Sequence, residues 1–519
     1  MNIKLRTFIL IILLILNIKI FGNGLNISNI QVFQATSIVS FDLKWQNSWR
    51  TPASAPNNWD AAWIFIKFRK CSDPISSTNF TPGNISATVT DHTLPASLEF
   101  TDSQGNPGVL DADLKGVMLR RSADGFYPDD PAATVNLKIS NLPVAGTPVD
   151  VRVYGIEMIY IPGGSFILSD GGANSAAIDK FTTGAVGTTP AVAITINNEA
   201  TTYTFSDWNF NFTVPVNYPK GFQQFYIMKY EISEGQYADF LNTLSGVYTS
   251  TYYTGVANYN SFRNRLKGPG TFPNLFTTDR PYRAQNFLSW KDITAYLDWA
   301  YLRPITELEY EKACRGPSPG GFAGNNIYAW GSNTFTQITA NGISGNEDGT
   351  ESVPANTNCN YITAPFTSGD GLNGSATVNQ NGPVRCGIFA NSSTTTAAST
   401  GGTYYGVMEM SGNLWEWAVN CSDATGRAFT RVWGDGDITT WPANWPPVSL
   451  TASAGVIVRG GSWESNNISA LMEISNRRFG TAAQWATSTN WGTSYGANIT
   501  YTTGATATRT SFFGGRGVR

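Results

Sequence analysis

The sequence predicts an α+β protein. An antiparallel β-sandwich of immunoglobulin-like kind is expected over residues 24–155, followed by a loop-rich α+β domain over residues 156–519. Two observations carry this expectation. Up to residue 155, alternating or wholly apolar runs of strand length are separated by turn clusters. Beyond Ile156, three capped amphipathic helices sit among long stretches of Gly, Asn and Trp, in a chain with 51 Gly and 16 Trp.

The first 23 residues read as a secretory signal peptide. Lys4 and Arg6 precede an apolar run from Phe8 to Leu16, and cleavage is expected near Gly22 to Gly24. A bilayer span needs about 20 apolar residues. No later segment reaches that length, so the mature chain is expected to be secreted, without a transmembrane segment.

In the sandwich, Ser40 to Trp45 alternates and puts Phe41, Leu43 and Trp45 on one face. Ala62 to Phe68 is apolar at almost every position, which predicts a strand covered on both faces. Thr134 to Ile139 and Val149 to Tyr154 alternate again, and clusters at Asn79 to Asn84 and Asp102 to Gly108 supply turns. None of these residues has catalytic spacing, so a supporting or contact role is expected for this part.

In the second part, Ser233-Glu234-Gly235-Gln236 forms a capping box ahead of an apolar stripe at Tyr237, Phe240, Leu241 and Leu244. Ser289 opens a helix with Ile293, Tyr296, Leu297 and Ala300 on one face. Thr306-Glu307-Leu308-Glu309 caps a third, which stops at Gly316.

Composition removes whole classes of chemistry. Charged residues make up 14% of the chain, against about 25% in ordinary domains. A net charge of −3 offers no basic field for nucleic acid. The chain has one histidine, His92, so no site with two or three imidazoles can form. His92 reads as a surface-loop residue. Five cysteines, Cys71, Cys314, Cys359, Cys386 and Cys421, leave at least one unpaired. A disulfide among Cys359, Cys386 and Cys421 is expected, with the pairing open.

Several motifs then occur in a telling order. They are Met158 to Phe166, Tyr230 to Ser233, Leu302 to Gly316 and Tyr328-Ala329-Trp330-Gly331. Gly412-Asn413-Leu414-Trp415-Glu416-Trp417 and Arg459-Gly460-Gly461-Ser462-Trp463 follow. Together they resemble the formylglycine-generating enzyme, or sulfatase-modifying factor, family from Ile156 to Arg519. The resemblance implies an irregular C-type-lectin-like fold. Trp415 and Trp417 suit a loop-rich core. Arg459 with Gly460 and Gly461 suits a close backbone approach beside a charged hydrogen-bond hub.

The enzymes of that family bind copper through two cysteines shortly after the Gly-Gly-Ser element, and thiolates suit Cu(I). The matching positions here are Ser465 and Ala470. A related branch holds iron with three histidines, which this chain lacks. Neither copper nor iron is expected, and no residue is assigned a catalytic role. The family cysteine matched by Cys314 pairs near the C-terminus in the enzymes, where this chain has no thiol.

The resemblance also implies structural calcium, which takes hard oxygen ligands. One site would use the side chains of Glu409 and Glu416 and the carbonyls of Gly412 and Leu414. A second would use Asp370, the Leu372 carbonyl, Asn356 and the Thr357 carbonyl, with Asn358 and Asn360 close by in sequence. Asp435-Gly436-Asp437 reads as an ordinary acidic turn. From Trp485 to Arg509, the aromatic residues Trp485, Trp491, Tyr495 and Tyr501 lie among small polar residues, a composition suited to a binding loop.

The expected function is that of a secreted, non-enzymatic surface protein acting through protein partners, adhesion or self-association, as in a filament. Two alternatives remain at this point. One is a metal-dependent enzyme with unfamiliar ligands. The other is a lectin-like carbohydrate binder.

Overall fold

The computed structural model describes residues 24–519 apart from 130, 171–179, 184–192, 207–210, 254–255, 257–261, 271–274, 339–341, 346–347, 362–381, 392–393, 395, 448–453, 464–468 and 478–508. Its centre is the strand Asp60–Lys70, whose two faces serve two cores. Ala62, Ile64 and Ile66 face Val39, Phe41, Leu43, Val135 and Leu137. The alternate residues Ala61, Trp63 and Phe65 join the larger core built by the rest of the chain. A period of two with apolar residues at both phases produces this double burial.

The sandwich is present. A three-stranded antiparallel sheet, Asn26–Phe33, Ile38–Lys44 and Ala133–Lys138, covers one face of an eight-stranded sheet. That larger sheet runs in the order Leu98–Thr101, Val117–Arg121, Asp60–Lys70, Val149–Ile161, Phe225–Met228, Gly517–Val518, Arg303–Pro304, with Thr81–Pro82 beside Asp60–Lys70.

The sheet passes without interruption from the sandwich into the second part. Strand Val149–Ile161 pairs with Asp60–Lys70 from Val149↔Lys70 to Ile159↔Asp60. Its end pairs with Phe225–Met228 from Met158↔Met228 to Ile161↔Phe225. The expected boundary between residues 155 and 156 therefore falls inside one strand. Gly155 lies there because of packing: a Cβ would come within 2.8 Å of Leu25 Cδ2 and 3.0 Å of Ile27 Cδ1.

Further bonds close the junction. Trp63 Nε1 donates to Ala300 O at 2.9 Å, and Trp59 Nε1 to Tyr226 Oη at 2.8 Å. Arg519 stacks over Trp63 at 3.8 Å and forms ion pairs with Asp111 and Asp113, both at 2.7 Å.

His92 differs from its sequence reading. It is buried, packs against Phe100, and accepts the Lys138 backbone N–H on Nδ1 at 3.1 Å. Its Nε2 lies 3.0 Å from Ser86 O, so the ring joins a strand to a neighbouring loop. The Thr-Asp-His-Thr context gave no sign of partners 46 residues further on.

The three capped helices form as expected at Glu234–Leu241, Trp290–Trp299 and Glu307–Arg315, each with a complete capping box. A fourth, Gly246–Tyr253, has a sequence of β-formers and no cap signal. Tertiary contacts hold it: Thr249 and Tyr252 are buried, and Tyr237 Oη donates to Tyr252 O at 3.0 Å.

Lys67 gives the junction a pH dependence. It is buried, with Nζ 3.0 Å from Tyr301 Oη and 4.4 Å from the centre of that ring. Burial lowers its pKa from 10.5 to about 7, against the opposing pull of Asp298. Between those values the unfolded chain holds a proton that folded Lys67 has lost, so this residue's contribution to stability improves as pH rises. Unfolding free energies from urea titrations of the wild type should gain on those of Lys67→Met between about pH 7 and 9, by up to ~1.4 kcal/mol per pH unit. Parallel profiles would contradict this assignment.

Candidate functional site

All nine residues of helix Glu307–Arg315 are buried, including three glutamates. Each carboxylate meets a guanidinium. Glu309 is held by both terminal nitrogens of Arg303, at 2.8 and 2.7 Å. Glu307 accepts from Arg459 at 3.1 Å, from Arg477 Nε and Nη2 at 3.0 Å each, and from Cys421 N at 2.8 Å. Glu311 accepts from Arg459 at 2.8 Å and from Ser169 N at 2.8 Å. Burial alone would raise Glu307, but Arg477 and Arg459 outweigh it and leave its carboxyl below the usual range.

Arg459 is thus the charged hub expected from its motif. The next residue, Gly460, has φ +90°, and a Cβ there would meet Met410 O and Tyr310 Oη, both at 2.8 Å. This close approach brings Arg459-Gly460-Gly461 against the loop that starts at Glu409.

That loop folds tightly. Glu409, Gly412 and Asn413 all have positive φ, at 56°, 87° and 62°. Gly412 N donates to Gly460 O at 2.8 Å, and Asn413 N to Asn360 O at 2.9 Å. Asn360 Nδ2 also reaches Asn413 Oδ1 at 3.0 Å. The chain then enters strand Trp415–Val419, where Trp415 and Trp417 are buried.

The loop's carboxylates are not equivalent. Both oxygens of Glu416 are taken by Arg516, at 2.6 and 2.8 Å. Glu409 accepts from Gly387 N at 2.9 Å through Oε1, while its buried Oε2 has no hydrogen-bond partner among the described residues. Burial pushes Glu409 up to about 7, opposed by Arg516, the Gly387 N–H and Arg385.

A third carboxylate, Glu231, was missed in the sequence. It accepts from Leu414 N at 3.1 Å and from Asn413 Nδ2. Burial, reinforced by Glu416, raises its pKa well above the usual range. The only signal was its place in the Tyr230-Glu231-Ile232-Ser233 motif, which by itself marks a helix start.

The cluster therefore sets Glu231, Glu409 and Glu416 around Arg516. Among the described residues, no three carboxylate, thiol or imidazole side chains converge as a metal-binding group. The donor chemistry suits a hard cation in part. Glu409 has a free oxygen, whereas Glu416 is already bound to an internal cation.

Of the second expected calcium set, Asn356 is exposed with φ +64°, and Thr357 is buried with its N–H on Pro354 O at 3.2 Å. Asp370 and Leu372 lie outside the described residues, as do Ser465, Trp485, Trp491, Tyr495 and Tyr501. Asp435-Gly436-Asp437 is a turn whose first two backbone N–H groups donate to Asp298 Oδ1 at 2.8 and 3.1 Å.

All five cysteines are free, so the expected disulfide among Cys359, Cys386 and Cys421 is absent from the structure. The three thiols are built into separate surroundings. Cys359 packs in one core and Cys386 and Cys421 in another. Cys386 Sγ donates to Glu231 O at 3.6 Å, whereas Cys421 lies beside Glu307.

Residues 149–490 match the family described as the sulfatase-modifying factor enzyme 1-like domain. The match starts with the strand Val149–Ile161, seven residues before the resemblance expected from Ile156. A formylglycine-generating enzyme from Thermomonospora curvata is 29% identical over 161 residues, covering 30% of this chain and 37% of that protein. The aligned part is thus well under two thirds of that relative. Among the described residues, no helix is long and apolar enough to cross a membrane.

The buried network is testable through Arg459. Arg459→Met should cost about 3–5 kcal/mol of unfolding free energy, because it strips a partner from two buried carboxylates. Arg459→Lys should recover only part, since an ammonium does not reproduce a planar fork. Chemical denaturation measures both, and a loss below about 1 kcal/mol for the methionine variant would contradict the network.

Proposed function

Because the chain belongs to the sulfatase-modifying factor family, we propose that it is a secreted, non-enzymatic member. It works by protein–protein contact at the cell surface or in an extracellular assembly such as a filament. One observation carries the reading: Ser465 and Ala470 stand where the copper enzymes of the family have thiols. Ala470 offers a methyl group, and its carbonyl is engaged by Glu473 N at 3.2 Å and Asn476 Nδ2 at 2.8 Å. The four buried thiols are poor substitutes. Burial raises the pKa of Cys314, Cys359, Cys386 and Cys421, which keeps them protonated.

The sandwich supports the contact role. Strand Asn26–Phe33 is an edge of its three-stranded sheet and pairs with Ile38–Lys44. Ile30 and Phe33 on it are 40% and 49% exposed. Apolar side chains on a sheet edge are a route to strand addition by a neighbour. The apolar run after Lys4 and Arg6 supports secretion.

Two measurements on the mature protein test this function. A sulfatase cysteine peptide with copper and oxygen should show no turnover above a metal-free control. Light scattering should show concentration-dependent growth, which Ile30→Lys with Phe33→Lys reduces. Turnover, or a monomer at every concentration with no association with cell-surface structures, would overturn the proposal.

Calcium at the 409–416 loop belongs to the same reading, as a cross-link without a chemical role. Three buried carboxylates face one bidentate guanidinium, and the free Glu409 oxygen would be its side-chain ligand, joined by loop carbonyls. Calcium at about 100 times its dissociation constant adds ~2.7 kcal/mol by mass action. The melting temperature should rise with calcium and fall back with chelator, and Glu409→Gln should remove the rise. A melt indifferent to calcium would rule the site out.

A further inference from the structure

A cavity of about 260 Å³ opens where the sandwich meets the helices Glu234–Leu241 and Trp290–Trp299, away from the 409–416 loop. Its wall is aromatic, with Phe65, Tyr154, Tyr230, Tyr296 and Trp299, and it carries the carboxylate of Asp239. Its volume is below the usual range for drug-sized ligands, about 300–1,000 Å³, and suits a group the size of one long side chain.

The charges around the cavity single out Asp239. Glu157, the other acid in the wall, is committed: Lys229 Nζ lies 3.0 Å from one oxygen, and Leu25 N donates to the other at 3.2 Å. Among the described residues, no hydrogen bond or ion pair reaches the Asp239 carboxylate. Arg152 exerts the nearest favourable field on it. That guanidinium is already bonded to Asp150 at 3.2 and 3.4 Å and to Asn242 O at 3.3 Å. Asp239 lines the cavity and is exposed, yet desolvation by the groups around it raises its pKa to about 6. The Tyr154 hydroxyl is buried beside the Arg152 guanidinium, which serves as its side-chain partner.

An unpaired carboxylate in an aromatic wall favours a positive guest. The carboxylate supplies charge and accepts N–H bonds, and the rings, of which Phe65 and Trp299 already face Lys67 and Tyr230 faces Lys229, cover the alkyl stem. An anion would meet Asp239 and the ring faces, both repulsive. A neutral guest would leave the carboxylate unpaired.

We propose that this cavity binds an organic cation, an alkylammonium or alkylguanidinium head on a short stem, with Asp239 as its counter-ion. The same head is available from a free small amine or from a Lys or Arg side chain of a partner protein.

Calorimetric titration of the full mature chain tests the site. The probes are n-butylammonium, agmatine, 1-butanol, butyrate, and a pentapeptide with one central lysine flanked by glycines and both ends blocked. The two small cations should bind saturably and at least about tenfold more tightly than 1-butanol, with no binding of butyrate. Tighter binding of the peptide than of butylammonium assigns a partner side chain as the source, and the reverse assigns a free amine. Asp239→Asn should lose about tenfold or more with its melting temperature unchanged, and Asp239→Glu should retain most of the affinity. Equal affinity for butylammonium and 1-butanol in the wild type would overturn the proposal without recourse to any variant. So would the absence of saturation by either cation up to about 10 mM, or full affinity in Asp239→Asn.

Discussion

The arrangement of the second half depends on a helix that buries charge. Glu307, Glu309 and Glu311 lie on Glu307–Arg315, and every residue of that helix is withdrawn from water. A buried carboxylate without a partner is untenable, so each must bring a guanidinium with it. Arg303 arrives from the adjoining strand, Arg459 from the end of Val456–Arg459, and Arg477 from a later loop. Loops with little regular structure are thereby tied to one rigid element. Beside the anchored Arg459, Gly460 comes close to the 409–416 loop and Gly461 to Leu471 and Met472.

The second buried cluster is built to a different balance. On the helix, Glu307 and Glu309 are held below the usual carboxylate range by their arginines. Around Arg516, Glu231, Glu409 and Glu416 are all pushed upward by burial, which the shared guanidinium does not offset. The first cluster is satisfied by the protein's own charges. The second favours protonated carboxyls, and its Glu409 stands in a left-handed backbone conformation that side chains seldom adopt.

Local signals were legible in the sequence, and distant ones were not. The capping boxes at Ser233, Ser289 and Thr306 lie within four residues of what they control, and all three helices form there. Alternation at Phe41, Leu43 and Trp45 placed the sandwich core correctly. Glu231, by contrast, meets Asn413 and Leu414 across 182 and 183 positions, and Arg516 meets Glu416 across 100. No periodicity encodes such meetings. Gly246–Tyr253 was hidden because its β-forming residues become helical only through their packing. The continuity of Val149–Ile161 was hidden by the change of composition after Ile156, and Gly155 beside it is a point of close contact in space.

That continuous strand has a mechanical consequence. Two globules joined by a linker would swing apart under tension and pass almost no load between them. Here a pull between the sandwich and the second part runs along paired strands whose register extends from Val149↔Lys70 to Ile159↔Asp60. The backbone hydrogen bonds of an antiparallel ladder lie across the strand direction, so they are loaded together in shear and do not unzip one after another. A chain of such subunits would be as stiff within each link as a single sheet, and its weakest points would lie between molecules.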